Sequence, residues 1–379
     1  MCHRTRSEEI TVGVSISLTG KFKMQGQDAF SGIRLWVKET NRRGGIYLGK
    51  SFPLRLVCYD DRSQIKQAVE NVRRLLKQDH VDILFGPYSS GLTMAVAPVA
   101  EDVGKVLWNH GGSSDAIFKQ GWRYIVSVLS PASHYLRDLP LLLRCNYNRL
   151  NRIAVLEAAR GSFAAEVACG LERKARTEAF ELFRIPFESL WGDATGIIQK
   201  VLATRPEVLV IVGSFQDEVQ IVHSRDRFSP PVQVLAAVAA GVKIFYQEVG
   251  ALGEGVIGPS QWEPQVAGPP AEGVDSHGFV SQFARQFSML PDYTAAQSFA
   301  SGIVLLKCIE QAGSLADERL RRVAGELDFN TFYGRFRIDP LTGQQMGHQV
   351  LLTQWQGGAK RIAWPLETAE EPTVSSNMV

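Results

Sequence analysis

The sequence predicts an α/β fold of two lobes, each built on a parallel sheet, and three observations carry that prediction. Short apolar runs alternate with helical segments, the rhythm of strand–helix units that feed parallel sheets covered on both faces. The rhythm runs once from Ile10 to Trp108 and starts again at Arg152, with a break near Ser127–Asp138. The 379 residues, 45% of them apolar, suffice for two cores at about 100–200 residues per domain.

In the first run, Ile10–Ser17 reads as a strand. Gly26–Asn41 reads as a helix, from the spacing of Phe30, Ile33, Leu35, Trp36 and Val37, and stops at Gly44–Gly45. Pro53–Tyr59 is a second strand, and Ile65–Lys77 a helix with Ile65, Val69, Val72, Leu75 and Leu76 on one face. Val81–Phe85, Gly91–Val103 and Val106–Trp108 follow as strand, helix and strand. In the second run, strands are expected at Arg152–Leu156, Ala179–Ile185, Val208–Val212, Val232–Val238 and Gly255–Ile257. Helices are expected at Phe163–Lys174, Gly196–Ala203, Gln216–Arg225 and Val242–Val249. Ser260–Gly273, rich in Pro and Gly, reads as a connector. Helices at Val280–Phe287, Thr294–Ala312 and Asp317–Leu327 come next. Two alternating strands follow, Tyr333–Ile338 and Gln349–Gln354, linked by the turn-prone Asp339–Gly343. The polar stretch Glu367–Val379 is expected to be a disordered tail.

Charge is balanced, 41 Lys and Arg against 39 Asp and Glu, with no basic stripe, so no nucleic-acid partner is expected. The basic stretch Arg144–Arg152 reads as a solvated helix end. No apolar run reaches the roughly 18 residues of a membrane span. Met1–Glu9 is polar, unlike a secretory signal. The chain is therefore expected to be either cytoplasmic or a mature or truncated form. Cys2 is either a lipid anchor point of a mature lipoprotein or a chance cysteine. The five cysteines, Cys2, Cys58, Cys145, Cys169 and Cys308, are odd in number and form no CxxC, which argues against a zinc site or a disulfide framework.

Ligands of open parallel sheets meet the carboxyl ends of the strands, where helix N-termini offer N–H groups. The loops there are Leu18–Gly26, Gly86–Gly91, Asn109–Asp115, Ala158–Phe163 and Gly213–Gln216. They hold Gly, Ser, Thr and aromatics and few titratable groups. That composition suits binding: hydroxyls and loop N–H groups can hold a carboxylate or amide, and Phe163 and Phe215 offer apolar walls. Taken singly, each Ser or Gly is also an ordinary turn or capping residue.

Catalytic patterns are weak. Ser89, Ser90 and Ser113 all lack the glycines of a nucleophile elbow. His110, Asp115 and Ser113 are neighbours in sequence only, and a triad is a matter of geometry. Asp60–Asp61 sits at a strand end and reads as a helix cap. The seven His residues show no metal spacing. Gly253, Gly255 and Gly258 match a dinucleotide fingerprint but run into a strand and Pro259, so they read as turn residues. No cofactor is expected, and the chain reads as a ligand-binding protein rather than an enzyme.

Six stretches, in this order and spacing, carry a resemblance. They are SLTGKFKMQGQDAFSGIRL from Ser17, NRRGGI from Asn41, VCYDDRSQIKQAVENVRRLL from Val57, GPYSSGLTMAVAPVAED from Gly86, AAQSFASGIVLLKCIEQAGS from Ala295, and FNTFYGRFRIDPLTGQQMGHQVLLTQWQGG from Phe329. From about Glu9 to Pro365 the chain resembles the type I periplasmic solute-binding proteins, in the leucine/isoleucine/valine-binding branch of ABC importers. The resemblance implies two Rossmann-like lobes joined by a three-strand hinge, with the ligand in the cleft between them. Lobe 1 would comprise 1–131 plus 264–345, and lobe 2 would comprise 132–263 plus 346–366. It implies that Ser90 and Ser113, with Ser89 and Gly112 beside them, hold a ligand carboxylate. Gly111 would meet an ammonium through its carbonyl, Phe163 and Phe215 would close over the ligand, and Gln25 and Phe299 would line its side-chain pocket.

One departure stands out. The family's amino-acid binders carry an acidic residue in the loop after the fourth strand of lobe 2, and here Leu235–Gly241 is apolar, with Val238 at about the matching position. A buried ammonium without a carboxylate is costly. A solute with a carboxylate or amide but no α-ammonium is therefore expected. The implied role is an extracytoplasmic receptor that closes on its solute and is read by the membrane permease subunits of an importer. The alternative is a sensory receptor of the same fold that signals to a protein partner.

Overall fold

Each run of strand–helix alternation builds its own sheet. The computed structural model describes residues 8–147, 149–188, 194–228, 232–266, 269–369 and 373. The chain divides into two units. Unit 1 runs to Ser130 and resumes over Pro264–His348; unit 2 takes Pro131–Glu263 and resumes at Gln349. Residues 346–348, expected in the second lobe, stay with unit 1, because Met346 N and Gly347 N both donate to Arg337 O.

Unit 1 opens with β1 (Ile10–Ile16), α1 (Lys23–Arg42), the short pair β2 (Ile46–Tyr47) and β3 (Ser51–Phe52), and β4 (Leu54–Asp60). It continues with α2 (Ile65–Lys77), β5 (Ile83–Phe85), α3 (Ser90–Glu101), β6 (Leu107–Asn109) and β7 (Ile125–Ser127). Unit 2 follows with α4 (Leu139–Asn146), β8 (Arg152–Ala158), α5 (Phe163–Thr177), β9 (Glu181–Phe187) and α6 (Ala194–Ala203). Then come β10 (Val208–Val212), α7 (Phe215–His223), β11 (Val234–Ala237), α8 (Lys243–Val249) and β12 (Ile257–Ser260). The chain returns to unit 1 for α9 (Ser276–Phe287), α10 (Tyr293–Ala312), α11 (Asp317–Glu326) and the hairpin β13 (Asp328–Thr331) and β14 (Gly334–Arg337). It ends in unit 2 with β15 (Leu351–Gln356) and β16 (Ala359–Trp364).

The sheet of unit 1 has the order β4-β1-β5-β6-β7, all parallel. In unit 2 the order is β16-β15-β12-β11-β10-β8-β9. Its strands β8 to β12 are parallel, but β15 pairs antiparallel with both β12 and β16. This corrects the expected hairpin across Asp339–Gly343: β14 pairs with β13 in unit 1, and β15 goes to unit 2. The two runs alternate alike, so spacing alone could not separate them.

Strand side chains alternate between two cores, as the period of a strand requires. In unit 2, Ile153, Val155, Val208, Val210 and Val234 pack with Leu142, Val167 and Leu171 on one face. Ala154, Leu156, Leu209, Ile211 and Leu235 pack with Val201, Ile221 and Phe245 on the other. In unit 1, Leu84, Leu107 and Ile125 meet Val72, Leu75, Val96 and Ala100 of α2 and α3. Helix α10 packs closely on α1: a Cβ on Gly32 would sit 2.2 Å from Ala295 O. Ser298 Oγ donates to Ala29 O at 2.7 Å.

Several local expectations are corrected. Asp60 and Asp61 do not cap α2, whose N-cap is Gln64; they hold the loop after β1, as described below. Arg144 is not a solvated end: it donates to Leu150 O and Glu178 O and lies 3.7 Å from the Phe180 ring centre. The expected strand Val232–Val238 ends at Ala237, and Val238–Gly241 is a 3-10 turn. Glu367 and Thr368, placed in the expected tail, belong to another such turn, Leu366–Thr368. Cys2 and residues 370–372 and 374–379 lie outside the described residues.

Gly170 shows how tightly α5 is seated. A Cβ there would lie 1.8 Å from Ser133 O. Gly170→Ala is expected to lower stability by about 1–3 kcal/mol, the usual cost of overpacking. Urea titration followed by circular dichroism checks this, and an unchanged midpoint would contradict it.

Candidate functional site

The loops at the carboxyl ends of the strands are built by side chains that accept backbone N–H groups. In unit 1, Asp60 closes the loop after β1. Its Oδ1 accepts from Leu18 N, Thr19 N and Arg62 N at 2.9, 3.2 and 2.9 Å. Asp61, fully buried, accepts from Ser17 Oγ at 2.5 Å and Ser63 N at 2.8 Å. Burial holds its carboxyl above the usual carboxylate range.

The loops after β5 and β6, on neighbouring strands, are woven together. Ser89 caps α3 through Leu92 N and gives its own N–H to Gly111 O at 3.1 Å. Its φ of 97° is rare for a side-chain-bearing residue and is held in place by those two bonds. Ser90 Oγ accepts from Ser113 N at 3.2 Å and Ser114 N at 3.0 Å. Asn109 Oδ1 accepts from Gly112 N at 2.8 Å, and Asn109 Nδ2 donates to Gly112 O at 2.7 Å. Gly111 and Gly112 are required by space: their Cβ atoms would lie 2.4 Å from Pro87 O and 2.5 Å from Thr93 Oγ1. Ser89, Ser90, Gly111, Gly112 and Ser113 are thus gathered at one edge.

This network decides what the cluster can offer. Ser90 Oγ already accepts two N–H groups, so its O–H remains as a donor suited to a carboxylate or amide oxygen. The Gly111 carbonyl, which the resemblance assigns to an ammonium, already accepts Ser89 N–H. His110 is fully buried and its pKa is pushed down to about 4 by that burial, so the ring is neutral near pH 7. It lies 6.2 Å from the Phe85 ring, and no bond joins it to Ser113, so the triad suggested by sequence adjacency is not assembled.

Gln25 is half-buried in the first turn of α1, at the same edge. Phe299 is placed differently from its assigned role. It is 4% exposed, and its ring lies 5.1 Å from Phe279 and 5.9 Å from Phe332, in an aromatic cluster of the core. That leaves little of the ring for a solute. Two residues that sequence reasoning passed over stand at this edge instead. Phe22, after β1, and Tyr88, after β5, meet edge to face at 5.9 Å, both half-buried. An aromatic residue in each of two strand-end loops was the available signal.

In unit 2, Phe163, Phe215 and Val238 follow β8, β10 and β11, three neighbouring strands. Phe163 begins α5, packs on one core of the sheet and meets Tyr135 edge to face at 5.3 Å. Phe215 begins α7 behind a capping box of Ser214 and Asp217 and packs on the opposite core. Val238 is half-buried. The acidic groups nearby are internally engaged. Glu157, near the end of β8, holds Arg184 through bonds of 2.7 and 3.1 Å. Glu218 of α7 is 1% exposed and accepts from Gly213 N at 2.9 Å and Ala239 N at 2.6 Å. Burial pushes its carboxyl up to about 8. Among the described residues, no group of three His, Cys, Asp or Glu side chains is placed to hold a metal ion.

Comparison with known proteins agrees with this architecture. A family model described as periplasmic binding protein matches residues 9–360. The Leu/Ile/Val-binding protein homolog 7 of Brucella abortus (strain 2308) is 27% identical over 137 residues, which is 36% of this chain and 32% of that protein. The match therefore spans about a third of that relative's length. Two solved structures share the fold at low identity. One is the branched-chain amino acid transporter substrate binding protein LivJ of Streptococcus pneumoniae, in complex with isoleucine. Its TM-score is 0.78 at 18% identity, covering 93% of this chain and 97% of that one. The other is a solute binding protein from R. palustris in complex with benzoate. Its TM-score is 0.76 at 17% identity, covering 97% of this chain and 99% of that one.

Glu218 gives the site a pH signature. A carboxyl raised from 4.5 to about 8 in the fold stays protonated where the unfolded chain ionises. Its contribution therefore favours the fold below pH 4.5 and is lost as pH rises through about 8. Glu218→Gln is expected to flatten the fall in melting temperature between pH 5 and 8.5, measured by circular dichroism. A variant with the wild-type slope would contradict this.

Proposed function

The chain belongs to the periplasmic binding protein family, and from that premise we propose that it is a solute-binding receptor of an ABC importer, working outside the cytoplasm. Its solute is a small organic molecule with a carboxylate or amide and an apolar or aromatic body, without an α-ammonium. Binding, not turnover, is its activity, and the importer's membrane permease subunits are its partners.

One observation carries this choice of solute: at the carboxyl edge of unit 2, three neighbouring strands present Phe163, Phe215 and Val238, while the carboxyl oxygens of buried Glu218 accept from two backbone N–H groups. An ammonium brought there would meet apolar surface, at a desolvation penalty of several kcal/mol. The edge of unit 1 supports the other half of the reading. The Ser90 O–H, on a hydroxyl fixed by Ser113 N and Ser114 N, is preoriented to donate to an acid or amide oxygen. Such a bond contributes about 1.5–3 kcal/mol to a charged acceptor.

Calorimetric titration with benzoate, leucine, phenylalanine and short amides tests the proposal. Benzoate-type acids or amides are expected to bind, and leucine at least about a hundredfold more weakly, the equivalent of roughly 2.7 kcal/mol. Phe215→Ala should weaken benzoate about tenfold or more, as loss of an aromatic anchor does. Tight leucine binding would overturn the assignment of solute class.

A further inference from the structure

The turn Val238–Gly241 is held by side chains from three elements of unit 2. Glu218 of α7 accepts from Ala239 N at 2.6 Å, Trp355 Nε1 of β15 donates to Ala240 O at 2.9 Å, and Lys360 Nζ of β16 donates to Gly241 O at 2.6 Å. The first of these also ties in β10, because the second oxygen of Glu218 accepts from Gly213 N at 2.9 Å. Glu218 sits three residues after Phe215 on the same short helix. One buried carboxyl group therefore fixes the helix that starts with Phe215, the end of β10 and the turn that starts with Val238.

We propose that Glu218 is a positioning residue for solute binding: it sets the Val238 turn against the Phe215 helix, with both oxygens of its carboxyl group turned to the main chain. The inference rests on the reading of Phe215 and Val238 as solute contacts. It adds the reason the wall keeps one shape. A carboxyl group fits this role because it has two oxygens, one placed to accept from Gly213 N–H and the other from Ala239 N–H. Gln keeps the length but offers one acceptor oxygen, so either Ala239 N–H or Gly213 N–H then faces an amide N–H.

Hydrogen exchange and calorimetry on Glu218→Gln test this in the full chain. In the unliganded variant, exchange at the Ala239 or Gly213 amide is expected to rise about tenfold or more, the mark of a lost local bond. The β8 amides Ile153–Leu156, in a strand paired on both sides in the same sheet, should keep their protection. Benzoate affinity should fall about tenfold. Phe215→Ala serves as the contrast, weakening benzoate while leaving Ala239 exchange unchanged. Unchanged exchange at both amides of Glu218→Gln would overturn the proposal, as would raised exchange with wild-type benzoate affinity. Should the unsubstituted protein fail to bind benzoate, the solute class falls instead, and leucine replaces benzoate in the same comparison.

Discussion

Backbone N–H groups left over beyond the ends of parallel strands must find acceptors, and this constraint shapes both units. A strand-end loop cannot extend the sheet, and each buried N–H without a partner costs about 1–3 kcal/mol. Here side chains provide the acceptors. Asp60 serves three N–H groups, and Ser90, Asn109 and Glu218 serve two each. The loops that would touch a solute are rigid because their main chain is already satisfied from within.

The same constraint separates what these edges look like from what they can do. Acidic and amide residues at the edge of a sheet suggest ligands for cations or catalytic groups. In this protein Asp60, Asn109 and Glu218 turn oxygens to main-chain N–H groups, and Glu157 turns its own to Arg184. For the proposed function, the edge of unit 1 offers the second valence of a hydroxyl at Ser90, and the edge of unit 2 separately offers the flanks of rings such as Phe163 and Phe215.

Much of the fold is legible in the sequence where a strand is buried on both faces. VLVIV at Val208–Val212 is apolar throughout, as a central parallel strand must be, and its bounds agree to the residue. Legibility fails at the margins. β7 has three residues, too few for a period, and β16, AKRIAW, mixes charge into an edge strand. Within the site, the joining of Ser90 to Ser113 spans 23 residues, so no local spacing could announce it. Glu218 was discoverable in part: Ile221 and Val222, three and four positions on, place it on the buried face of α7. What its carboxylate does there depends on Ala239, which only tertiary structure brings near.

The interleaving of the two units along the chain governs how the protein can be made. A ribosome that has synthesised residue 263 has delivered most of unit 2, but β12 still lacks β15, and unit 1 still lacks α10. Until α10 emerges, Trp36 and the rest of the α1 face it covers have no shelter, and the free edge of β12 invites pairing with another chain. Premature release before Leu351 would therefore yield an aggregation-prone nascent product in place of a truncated but working one. Holding the nascent polypeptide unfolded until β15 is free answers the demand of a topology this rich in long-range pairings.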